Sequence, residues 1–164
     1  MTISTPLGTV VRDDEGLRLE FVRTFPDPIE RVWAAVTDPD ELGTWFGTWR
    51  GDPSTGTVEL CSIEGDGSYE PTPIVECDPP RKLAVVVSSP EGAWPLSVEL
   101  SESDGVTTLV FVHRLAEPYD ATSVGPGWQY YLDRLDAVLR GTEMPGMEDW
   151  PEYEPLGARY PLPD

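Results

Sequence analysis

The sequence predicts an α+β fold in which a curved antiparallel sheet wraps one long C-terminal helix, with two short helices after the first long strand. Three observations predict it. Two helix-start signals stand in tandem between Asp27 and Phe46, strand patterns follow without a break from Thr55 to Leu115, and a single striped helix spans Ser123 to Arg140. Residues 1–141 are expected to form the domain. Residues 142–164 are expected to form a Pro-rich acidic tail, packed on the domain through Trp150, Tyr153 and Tyr160 or extending from it.

Thr9–Arg12 and Leu17–Phe25 flank the turn Asp13-Asp14-Glu15-Gly16. Leu17, Leu19 and Phe21 alternate with Arg18, Glu20 and Val22, the period of a half-buried strand. Asp27 then reads as a helix cap, with Pro28 at the first helical position and Glu30 three residues after the cap. Ile29, Val32, Trp33 and Val36 make one apolar stripe. The signal repeats with Asp38 as cap, Pro39, Glu41, and a stripe of Leu42, Trp45 and Phe46.

Thr57–Ser62, Ser68–Cys77, Leu83–Ser88, Leu96–Ser101 and Thr107–Leu115 read as strands. Gly65-Asp66-Gly67, Asp78-Pro79-Pro80, Ser89-Pro90-Glu91-Gly92 and Ser103-Asp104-Gly105 separate them. Connections this short require antiparallel neighbours, since a parallel crossover needs a dozen or more residues. Pro71 and Pro73 mark an edge or distorted stretch. Trp128, Tyr131, Leu132, Leu135, Val138 and Leu139 stripe the long helix, and Gly141 suits its C-terminal cap. A sheet with one face to bury has this single long helix to pack against, and its own twist curls it.

Composition narrows the function classes. The chain is 39% hydrophobic and 10% aromatic, too apolar for disorder, and no apolar run approaches the roughly 20 residues of a membrane helix. The start lacks a basic and apolar leader, so a cytoplasmic location is expected. A net charge of -19 repels phosphate backbones and anionic lipid, which argues against nucleic-acid and membrane partners. Solubility is the simple reading of that charge. All eleven basic residues except Lys82 are Arg, read as the codon bias of a GC-rich genome or, alternatively, as salt adaptation. Cys61 and Cys77 would lie about 20 Å apart along neighbouring strands at about 3.3 Å per residue, too far for a disulfide, so two reduced core thiols are expected.

The run from Arg23 to Pro39, followed by Trp45-Phe46, resembles the opening of the SRPBCC superfamily. The nearest branch is the one named after the activator of the heat-shock-protein-90 ATPase, of which the C-terminal domain is the relevant part. Val75–Leu83, Gly105–Leu109, His113 and Gly127-Trp128 fit the same order, so the resemblance spans roughly residues 8 to 141. It implies a helix-grip fold of the START and Bet v 1 type, with a cavity between sheet and helix. Lipid and hormone binders, aromatic cyclases and a co-chaperone domain share that fold, so fold alone does not choose a function.

Trp45, Phe46, Leu109, Phe111, His113, Trp128, Tyr131 and Leu135 are the candidate ligand-binding residues. Trp45 and Trp128 are placed at the cavity mouth, where each would offer apolar area and an indole N–H; core filling is the equal alternative. Trp33 reads as helix-to-sheet packing. His113, the one histidine, shares the strand face of Thr107, Leu109 and Phe111. It reads as a hydrogen-bonded histidine at the sheet end or, alternatively, as a base. No catalytic residue, cofactor or metal site is assigned: a zinc site from Cys61, Cys77 and His113 would need an unusual convergence, and no G-x-S-x-G elbow or phosphate loop is present. Asp133 and Asp136 read as a solvated face.

The functional expectation is a protein that binds a small apolar molecule. The alternatives are a co-chaperone acting on a chaperone partner, and a cyclase or hydrolase using His113 with a carboxylate. A homodimer is expected only as the commonest assembly of small proteins.

Overall fold

The computed structural model describes residues 7–63, 65–89, 92–115 and 124–160. Eight strands form one antiparallel sheet: β1 (Gly8–Asp13), β2 (Gly16–Phe25), β3 (Gly47–Arg50), β4 (Thr57–Ser62), β5 (Glu70–Asp78), β6 (Lys82–Ser89), β7 (Gly92–Ser103) and β8 (Val106–Leu115). Their order across the sheet is β1-β2-β8-β7-β6-β5-β4-β3. Strands β3 to β8 follow one another as hairpin neighbours, as their short connections require. Helices α1 (Ile29–Thr37) and α2 (Pro39–Trp45) carry the chain from β2 to the opposite edge at β3. The long helix α3 (Val124–Arg140) packs along the sheet, and a short helix α4 (Trp150–Tyr153) follows it. This is the helix-grip arrangement.

The alternation expected in β2 is present: Leu17, Leu19, Phe21 and Phe25 are buried, while Val22 is exposed. On β8 the inward set is Thr107, Leu109, Phe111 and His113. At the β7–β8 hairpin Asp104 and Gly105 both have positive φ, 53° and 80°. That pair of left-handed residues gives the tight two-residue turn that matches strand twist. At the C-terminus of α3, Gly141 has φ 70° and the Thr142 N–H donates to the Ala137 carbonyl, closing the helix as its sequence predicts.

Three local expectations change. Asp38 caps α2 through hydrogen bonds from the Asp40 and Glu41 amides, but Asp27 does not cap α1. The Ile29 N–H instead donates to the Glu102 carboxylate on β7 at 2.7 Å, and the Asp27 carbonyl accepts from the Thr107 hydroxyl at 2.7 Å. A partner distant in sequence has replaced the local cap. Second, β3 carries no periodicity over its four residues; it forms by pairing with β4 and by the Trp49 indole N–H donating to the Thr37 carbonyl at 2.7 Å. Third, β7 runs back to Gly92, through Pro95. Beyond Leu96 it pairs with β6 alone, so the proline removes no bond to β8.

Cys61 and Cys77 are both free, as expected, yet Cys77 is exposed rather than in the core, because its strand end lies at the open side of the sheet. Ser123, expected to open α3, the Pro90-Glu91 turn pair and residues 161–164 of the tail lie outside the described residues. Among the described residues no helix is long and apolar enough to cross a membrane.

Candidate functional site

Between the concave face of the sheet, α1, α2 and α3 lies a hollow of about 270 Å³. Its buried wall comes from β6 (Val87), β7 (Leu96), β8 (Leu109, Phe111) and α3 (Trp128, Leu132, Leu135). Trp45 and Phe46 at the end of α2 close one side, and Trp49, Val58, Leu60 and Thr72 from β3, β4 and β5 form the opposite wall. No charged side chain lines it among the described residues.

Six of the eight residues expected at a ligand site line this hollow: Trp45, Phe46, Leu109, Phe111, Trp128 and Leu135. His113 and Tyr131 stand outside it. Tyr131 packs edge-on against Phe46 at 5.3 Å between ring centroids, and on Trp128 at 6.1 Å, so it backs the wall. His113 lies one pleat beyond Phe111 on β8, only 2% exposed, and its Nδ1 accepts the Trp128 indole N–H at 3.0 Å. That bond requires an unprotonated Nδ1. Burial depresses the imidazole pKa from 6.5 to about 4, so the ring is neutral near pH 7. The histidine therefore fixes the orientation of Trp128, with Trp94 packed against the imidazole at 4.8 Å between ring centroids.

The expected mouth and the expected indole donors are both corrected. Trp45 and Trp128 are each 6% exposed and lie deep, not at the opening. The exposed residues of the wall are Pro53, Cys77 and Pro79, with half-buried Trp33 and Trp49 beside them, so the hollow opens between α1 and the β5–β6 turn. Nor are the deep indole N–H groups available to a ligand. Trp45 donates to the Ala35 carbonyl at 2.9 Å and Trp128 to His113. A buried donor must find a partner, and in a wall this apolar the protein supplies one from its own backbone or side chains. Trp33, read from sequence as packing alone, lines the hollow as well. Its place in the helical stripe gave no sign of that, because the stripe tells which face is inward and not how well the interior is filled.

The opposite face of α3 differs. Gln129, 1% exposed, accepts through Oε1 from the Leu7 N–H at 2.9 Å and from the Tyr160 hydroxyl at 2.8 Å. Asp133 accepts from Arg23 at 2.9 Å and from the Tyr153 hydroxyl at 2.7 Å. Burial, with the Asp133 carboxylate beside it, raises the Tyr153 phenol far above its ordinary range. The Arg134 guanidinium donates to the Trp45 carbonyl at 2.9 Å and to the Pro145 carbonyl, joining the end of α2 to the tail. Gly125 lets the Tyr160 ring approach; an added Cβ would lie 2.6 Å from it. Asp133 is thus a half-buried member of a hydrogen-bonded network and not the fully solvated residue expected, because Tyr153 of the tail packs beside it. Asp136 does face outward, paired with Arg140 at 2.9 Å.

Fold and hollow together define a helix-grip domain of the ligand-binding type. A family model described as activator of Hsp90 ATPase homolog 1-like protein matches residues 27–140, and the chain belongs to that family, within the SRPBCC superfamily. Among solved structures it is similar to CalU16 from Micromonospora echinospora, with 24% identity, TM-score 0.74, and 95% of this chain and 94% of that chain covered. It is also similar to protein EF2215 from Enterococcus faecalis, of unknown function, with 19% identity, TM-score 0.73, and coverage of 93% and 88%. The product of gene BPP1335 from Bordetella parapertussis is 26% identical, with TM-score 0.71 and coverage of 99% and 96%. No curated protein matches the chain.

Proposed function

We propose that this protein binds a small, uncharged, largely apolar molecule in the hollow beneath α3. The observation that carries this reading is a 270 Å³ space in the middle of the core whose wall is aromatic and aliphatic and bears no charged side chain. Protein interiors are normally close-packed, so an open-sided apolar hollow of this size reaching into the core calls for a function. A cavity of about 150 Å³ holds one benzene ring, which scales to about two rings here. Removal of apolar ligand surface from water supplies the affinity, at about 25 cal/mol per Å² before the costs of association.

The wall also says what it disfavours. A carboxylate or phosphate buried among these residues would meet no cation, and burial of an unpaired charge is prohibitive. The indole N–H groups of Trp45, Trp49 and Trp128 and the hydroxyl protons of Thr37 and Thr72 are all donated within the protein. Shape and apolar contact therefore supply most of the selection, with the Trp33 indole N–H, the Ser97 hydroxyl and the Cys77 thiol as the remaining polar groups of the wall. The cyclase or hydrolase alternative loses its base, since His113 stands outside the hollow and its Nδ1 lone pair is occupied by the Trp128 indole N–H. Chaperone-ATPase stimulation, which the family description brings to this chain, is the competing reading; the internal hollow favours the first.

Native mass spectrometry after gentle purification tests it. The expected result is a mass excess that disappears on denaturation, together with saturable quenching of tryptophan fluorescence by added naphthalene. A protein that carries no extra mass and ignores naphthalene, but accelerates a chaperone ATPase, would replace this reading with the competing one.

A further inference from the structure

The ladder between β5 and β6 stops halfway. Residues Glu70–Pro73 of β5 pair with β4, and the pairing with β6 begins only at Ile74↔Val85, where a bulge separates Ile74 from Glu76. β6 itself continues to Ser89 against β7. The residues of β6 from Val86 onward have no ladder partner on β5, although the two strands are neighbours in the sheet.

The cause lies in two residues. The Ile74 N–H donates to the Gly56 carbonyl at 2.8 Å, so it points toward β4. Along a strand, successive N–H groups point to opposite sides. The N–H of residue 72 therefore also faces β4, and positions 71 and 73 are the ones whose N–H would face β6. Both are proline, which has none. Extension of the β5–β6 register would need donation from positions 73 and 71 to the carbonyls of Val86 and Ser88. The sequence forbids both donations, halving the bonds that the pairs 73/86 and 71/88 could exchange, while leaving every bond to β4 intact.

This seam runs along the hollow. Thr72 on one side and Val87 on the other, the next partners in register, both line it. On the far side of the seam β3, β4 and the first half of β5 form a flap that carries Trp49, Val58, Leu60 and Thr72 of the wall. The flap is held at its other margin. Trp49 donates to the Thr37 carbonyl at 2.7 Å, the Thr48 hydroxyl to the Pro39 carbonyl at 3.0 Å, and the Ile63 N–H to the Phe46 carbonyl at 2.9 Å. It is thus anchored at α1 and α2 and unlatched at β6.

We propose that Pro71 and Pro73 are specificity-determining residues: by keeping the β5–β6 seam unlatched they let the flap give way, so that the hollow takes fused-ring molecules larger than its resting volume. This rests on the binding reading above. Resting, the hollow suits about two rings; spread at the seam, it accommodates four.

The experiment uses two neutral probes, naphthalene and pyrene, titrated against the full chain by quenching of tryptophan fluorescence. The wild-type protein is expected to bind both. The Pro71→Val/Pro73→Val variant regains two N–H donors and closes the seam; it should keep naphthalene affinity within about 2-fold and lose pyrene affinity at least 10-fold, with Pro73→Val alone intermediate. Retained naphthalene binding doubles as the check that each variant is folded. Equal effects on the two probes, no effect on either, or a wild-type protein that takes naphthalene and refuses pyrene would each overturn the seam proposal and leave the hollow's binding role standing. Wild-type protein that takes neither probe overturns the binding role, and the seam proposal with it.

Discussion

The two faces of α3 solve the problem of burial in opposite ways. The sheet-facing side presents Trp128, Leu132 and Leu135 to a hollow, with its polar hydrogens satisfied at the margin by His113. The tail-facing side presents Gln129, Asp133 and Arg134 to a packed layer of Tyr153, Leu156 and Tyr160, where Gln129 accepts from Tyr160, Asp133 from Tyr153 and Arg134 donates to the Pro145 carbonyl. One side leaves space and excludes charge; the other fills space and pairs charge. A helix held firmly from behind can tolerate a void in front. The tail lies on the face of α3 away from the hollow.

The largest effect of any single substitution is expected on the hollow face. Leu135→Ala removes a fully buried side chain, at a cost of about 2–3 kcal/mol by urea unfolding, the low end for such truncations because the site already borders empty space. A loss near 5 kcal/mol would mean that this face is packed like the other, and would break the comparison.

Next comes acid. The folded-state pKa of His113 is depressed to about 4 by burial, so the unfolded chain takes up its proton first. Its contribution is complete above pH 6.5 and is lost as pH falls from 6.5 toward 4, by about 3 kcal/mol in all. Urea titrations at pH 7 and pH 4 should show His113→Gln losing less stability than wild type over that window. Equal losses would mean that the folded protein takes up the His113 proton as readily as the unfolded chain does, so that neither burial nor the Trp128 bond holds the ring neutral.

On the tail face Asp133→Asn leaves the half-buried Arg23 guanidinium without its carboxylate. A loss of about 2 kcal/mol is expected, smaller than for a fully buried pair because Asp133 keeps some access to solvent. Naphthalene affinity should fall only modestly. The smallest effect is Tyr160→Phe, which deletes the hydroxyl bond to Gln129 and costs about 1 kcal/mol. If either tail variant abolished probe binding while the chain stayed folded, the division of labour between the two faces would be wrong.

How much of this was legible beforehand differs by element. The β2 and β8 alternation, the Asp38 cap, the Gly141 cap and the antiparallel order from β4 to β8 are local patterns, and each stands in the structure as read. The inward faces that place Trp45, Phe46, Leu109, Phe111, Trp128 and Leu135 around one space followed from the same patterns. What failed depended on partners far along the chain. Asp27 lost its capping role to Glu102, β3 exists only because β4 is beside it, and Asp133 is half-buried only because the tail returns over α3. The two tryptophans were assigned free N–H groups that the folded chain uses for itself.

By itself, then, the sequence determined which residues turn inward and in what order the elements follow, since periodicity and capping are interactions within one or two turns of chain. It also wrote the two prolines that stop a ladder. Tertiary structure decided where the hollow opens, which hydrogen-bond donors remain for a ligand and which helix face is wet. Those depend on distances between segments a hundred residues apart, which no local pattern encodes.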